Sequence, residues 1–87
     1  LGRVREALPQ ARRAAHDDAR NPAAQSALGY ALLRDRQAEA ALRAFEAALM
    51  VAPAFAEARL GRIDALRALG RDGEARQALE DSRAAIM

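Results

Sequence analysis

Leu-Gly-Arg followed by Glu-Ala occurs twice in this chain, in LGRVREAL from Leu1 and in LGRDGEAR from Leu69. Half the distance between the two starts carries Ala7 onto Ala41 and Ala41 onto Ala75. The same step aligns Ala11 with Phe45 and Leu79, Ala14 with Ala48 and Ser82, and Leu32 with Leu66. Self-similarity at a fixed period of about 34 residues marks a repeated supersecondary unit, because each copy must offer the same faces to its neighbours. Within each copy the aligned positions recur every three or four residues, so they lie along one face of a helix.

The breaks between units carry helix start and stop signals. Asn21-Pro22 reads as a helix start, with Asn capping and Pro at the first helical position. Pro53 closes a helical pattern that begins near Gln37 and runs to Val51. Leu69-Gly70-Arg71-Asp72 reads as a helix end, with Gly in the left-handed conformation and Asp capping the next helix. The repeated phrase is therefore the corner of a helical hairpin, and DRQAEAAL, from Asp35 to Leu42, is a degraded copy. Five helices follow, over 4–18, 22–35, 37–51, 54–69 and 72–86, and connections of a few residues make consecutive helices antiparallel. Pro9 falls inside the first, where it deletes a hydrogen bond and kinks the rod or else marks a later start.

Hydrophobic residues make up 52% of the 87 residues but aromatics only 3%, so alanine supplies most of the apolar content. Alanine favours helix and has little volume, which suits helices that approach closely. All 14 basic residues are arginine, and 12 acids reduce the balance to +2. Nucleic-acid binding is not required by so small an excess, and without interleaved aromatics there is no stacking platform. The absence of cysteine removes disulfides and thiolate chemistry. No apolar run approaches the ~20 residues of a membrane span, and no signal peptide is visible. Cytoplasm is the default expectation. A chain that opens on Leu rather than Met reads as a piece of a longer protein.

Catalytic chemistry finds little to work with. His16 is the only histidine and reads as a solvated side chain; Asp17-Asp18 point about 100° apart on a helix and make a poor bidentate site. Ser26 and Ser82 are the only serines, and neither has a histidine at helical spacing. The glycines follow no strand and cradle no phosphate. The expectation is a non-enzyme with no cofactor and no metal. Glu39 with Arg43, Asp72 with Arg76 and Glu80 with Arg83 stand at helical neighbour spacing, as on ordinary solvated faces.

The stretch Pro22 to Phe55, PAAQSALGYALLRDRQAEAALRAFEAALMVAPAF, resembles the tetratricopeptide repeat, a helix–turn–helix of about 34 residues. Seven of the family's eight preferred positions are filled, by Leu28, Gly29, Leu32, Ala41, Phe45, Ala48 and Pro53; Gln25 stands where a large aromatic is usual. The resemblance divides a single domain, 1–87, into the second helix of a partial repeat (1–21), a complete repeat (22–55) and a third, atypical repeat (56–87). In the third, Arg59, Arg62 and Ile63 replace the usual aromatic, Leu and Gly, and in the middle unit Arg36 replaces the turn glycine.

That resemblance implies an all-α fold in which antiparallel hairpins stack as a right-handed solenoid, with the first helix of each hairpin lining a concave groove. Carried over position by position, the groove comprises Ser26, Tyr30, Leu33, Arg34, Leu60, Asp64 and Arg67, flanked by Ala23, Ala27, Glu57 and Gly61. It implies a scaffold that holds a protein or peptide, with Tyr30 as apolar anchor and Arg34 and Arg67 selecting acidic partners. The positions at which one branch of the family grips acidic chaperone tails carry Ala27, Glu57 and Gly61 here, which argues against that clamp. A first helix carrying Val4, Leu8 and Ala11 without a partner leaves self-association open, and a regulatory appendage of a larger enzyme is a further alternative.

Overall fold

The computed structural model describes the backbone of residues 2–86 and the side chains of residues 7–84; Leu1 and the Val4 side chain lie outside the described residues. The described residues form five helices and no strand: α1 (Gly2–Asp17), α2 (Pro22–Arg34), α3 (Ala38–Val51), α4 (Ala56–Ala68) and α5 (Asp72–Ile86). Pro9 sits inside α1 with helix on both sides and faces solvent, so it does not mark a later start. Asn21 caps α2 as expected: its side-chain oxygen accepts from the amides of Ala23 at 3.0 Å and Ala24 at 3.3 Å, satisfying two of the donors a helix start leaves open. Asp72 is not a cap. It is the first residue of α5, in the turn where a carboxylate opposes the positive end of the helix dipole.

Two of the corners are the same structure, one repeat apart. After α2 the amide of Arg36 donates to the Leu33 carbonyl at 3.1 Å and that of Gln37 to the Leu32 carbonyl at 2.8 Å. After α4, Gly70 donates to Arg67 at 2.9 Å and Arg71 to Leu66 at 2.8 Å. This double hydrogen-bonded stop needs one residue in the left-handed region, supplied by Arg36 at φ 61° and Gly70 at φ 74°. A side chain at positive φ is strained where glycine is not. Arg36→Gly should therefore raise stability by about 0.5–1 kcal/mol, read as a rise in urea midpoint at unchanged m-value; no change would mean the corner is not held left-handed in solution.

Packing follows sequence order. Each helix packs on the next, and α2 also packs on α4, whereas no Cα of α1 comes within 8 Å of α4 or α5 among the described residues. Ala41, Phe45 and Ala48 of α3 are completely buried, as are Ala58 and Ala65 of α4. Ala75 and Leu66 are nearly so. Most of the aligned positions thus face inward, with Ala14 the exposed exception, and small side chains let the helices nest. Among the described residues Phe45 is the one large apolar side chain fully enclosed.

Among the described residues the only ion pair is Arg71 with Glu74, which is exposed. The hydrogen bond from Arg71 holds the Glu74 carboxyl below its usual range. The three pairs at helical neighbour spacing stand on solvated faces as expected and form no ion pair, since screening and side-chain entropy leave little to gain there.

Candidate functional site

The face shared by α2 and α4 is held by one wedge. The edge of the Phe45 ring, reaching up from α3, lies against Gly29 of α2 and Gly61 of α4. A Cβ built at Gly29 would stand 2.5 Å from the ring, and one at Gly61 2.2 Å, so only glycine fits either helix against it. Tyr30, the neighbour of Gly29, closes the seam: its ring meets Phe45 edge-on with centroids 5.0 Å apart and planes at 73°. Its hydroxyl donates to the Glu57 carbonyl of α4 at 3.0 Å.

The seven expected groove residues divide into three groups. Ser26 is fully buried, so it does not line a groove; α2 is packed by α1, α3 and α4 at once, which leaves little of its circumference free. Its hydroxyl has no hydrogen-bond partner. Tyr30 and Leu33 are half-buried and pack on the core. Tyr30 is thus a strut between two helices as much as a contact surface. Arg34, Leu60, Asp64 and Arg67 are exposed, with Leu60 at 59%. Of the flanking positions Ala23, Ala27 and Glu57 are exposed, whereas Gly61 is buried beneath Phe45 and faces no groove. Arg67 also borders a concavity of about 510 Å³ that it shares with Asp72, Ala75, Arg76 and Leu79 on the α5 side.

The repeat period misses the role of Gly61, because one full period from Gly29 falls on Ile63 and Gly61 stands two positions short of it. The available signal was a lone buried phenylalanine, which requires space from both helices above it.

Burial first, then the negative charges of Asp64 and Glu57, push the Tyr30 phenol above its ordinary value of 10.0. The folded protein therefore holds that proton more tightly than the unfolded chain. Stability from Tyr30 should be fully present below pH ~10 and fall as pH rises through the raised value. Because the chain has one tyrosine, ultraviolet titration reads this directly. A midpoint at or below that of free tyrosine would contradict the packing of Tyr30 on α4.

His16 is exposed, and no group of three metal-ligating side chains occurs among the described residues. No described helix is long and apolar enough to cross a membrane. No protein-family model, curated protein or solved structure matches the chain.

Proposed function

We propose that this chain is a segment of a tetratricopeptide-type solenoid, and that it acts without catalysis by holding a protein or peptide along the face formed by α2 and α4. The observation that carries this is the equivalence of positions one repeat apart: the corners at Arg36 and Gly70 share their hydrogen bonds and their left-handed backbone. Hairpins that repeat in this way set their first helices side by side, and α2 packs on α4. The two helices offer the exposed apolar Leu60 on α4 and the half-buried Tyr30 on α2, with Arg34 and Arg67 exposed in their last turns. Asp64 lies close enough to Tyr30 to act on its phenol, so the middle of the face is not a place for an acidic group. The partner is a segment with an apolar side chain over Leu60 and carboxylates toward Arg34 and Arg67.

Leu60→Ala and Arg34→Glu alter exposed side chains and should leave unfolding within about 0.5 kcal/mol of the parent. They should weaken capture of a partner by tenfold or more, measured by fluorescence anisotropy with labelled acidic peptides carrying one apolar residue. Binding unchanged in both variants would remove the function from this face. Tyr30→Ala is a poor test, because it also removes the strut between α2 and α4.

A further inference from the structure

Between the end of α3, the first half of α4 and the second half of α5 lies a pocket of about 230 Å³. Its apolar wall includes Leu49 and Ala78, and its polar groups are Arg59, Arg62, Asp81 and Ser82. One repeat earlier in the chain, the same places hold Gln25, Leu28, Ala47 and Ala48. There Leu28 packs on the core and Ala48 is completely buried. Three apolar positions, on two facing helices, are therefore replaced together by a guanidinium, a carboxylate and a hydroxyl. One helix alone going polar would be a solvated face; both doing so at one crossing builds a polar pocket.

The guanidiniums in it are without an anionic partner among the described residues. Arg62 Nε is buried and has no hydrogen-bond partner, and among the described residues neither Arg59 nor Arg62 forms an ion pair. Arg59 Nε donates to the Pro53 carbonyl at 2.7 Å, which fixes its stem and leaves the terminal nitrogens free for a ligand. Asp81 accepts from the Gln77 side-chain amide at 3.0 Å, and Glu74, which feels the charge of Arg62, is bonded to Arg71. A buried cationic donor without an acceptor is costly, and a ligand oxygen removes that cost. The lining of two arginines and one aspartate leaves a single positive charge. The volume lies below that of a typical site for a larger organic molecule.

We propose that this pocket binds a compact oxyanion group, phosphate or carboxylate, held by the forks of Arg62 and Arg59 with the Ser82 hydroxyl as a further donor. It shares α4 with the α2–α4 face but is built from different residues, on α3, α4 and α5, and stands independently of that reading. The test is thermal unfolding of the chain against sodium phosphate and, in a second arm, sodium acetate, each with sodium chloride at equal ionic strength. A rise in Tm that follows the logarithm of concentration above the Kd, about 5–10 °C at ten times the Kd, is expected in one of the two arms. The arm that shows it identifies the group.

Arg62→Leu should unfold at a higher temperature without anion and lose the logarithmic part of the rise, keeping only the salting effect common to kosmotropic anions, which grows in proportion to concentration. Asp81→Asn should bind several-fold tighter. If Arg62→Leu does not fold, Arg59→Gln and the Arg62 Nε–H resonance of the parent decide instead, the first by weaker binding and the second by a saturable shift. No logarithmic rise beyond the chloride control in either arm, or one retained in Arg62→Leu, overturns the proposal.

Discussion

Phe45→Ala should destabilise the fold by about 3–5 kcal/mol, the largest effect expected of any single truncation here. The ring is completely buried, contacts two helices besides its own, and is met edge-on by Tyr30. A domain of this length has a total stability on the order of 4–13 kcal/mol, so the variant would be mostly unfolded at the lower end of that range. The cavity cannot close by a small shift, because its other walls are backbone at Gly29 and Gly61 and the small side chains around them. Denaturant unfolding followed by circular dichroism measures the loss. A cost below about 1 kcal/mol would show that α2 and α4 are not held apart by this ring.

Gly61→Ala should also destabilise, although alanine is the better helix former by about 1 kcal/mol. Its new methyl would stand 2.2 Å from the Phe45 ring, and overpacking of that kind costs about 1–3 kcal/mol. Gly29→Ala meets the same ring at 2.5 Å and should behave alike. The two effects separate in a double-mutant cycle. In a Phe45→Leu background, which leaves the site filled but shorter, Gly61→Ala should become neutral or stabilising. Equal costs in both backgrounds would mean that the glycine serves its own backbone rather than the ring.

These two expectations show how far the sequence reached. Helix number and order were legible, and capping in part, because each rests on a local signal: Asn21 before Pro22, Gly70 after Leu69, and apolar residues at helical spacing on α3; Asp72, read as a cap, is instead the first residue of α5. The strained corner at Arg36 was legible too, since the period placed it opposite Gly70. The groove was legible only in part. Exposure of Leu60, Asp64, Arg34 and Arg67 follows from their places on a helix, but the burial of Ser26 depends on how many neighbours α2 acquires. Glu39 with Arg43, Asp72 with Arg76 and Glu80 with Arg83 were read as solvated faces and are exposed, because spacing permits contact without compelling it.

Sequence alone settled most of what short-range chemistry controls: that Asn21 caps α2, where the chain turns, and which positions on each rod are apolar. Only the tertiary structure decided what depends on several helices meeting at one point. It put Gly61 rather than Ile63 over Phe45, turned Tyr30 from a free ligand contact into a strut bonded to Glu57, and gathered Arg59, Arg62, Asp81 and Ser82 around one pocket. The physical reason is that a repeat period aligns backbone positions, whereas steric fit between facing helices depends on side-chain volume. One large ring in an alanine-rich core moves the position that must be glycine off the repeat's register.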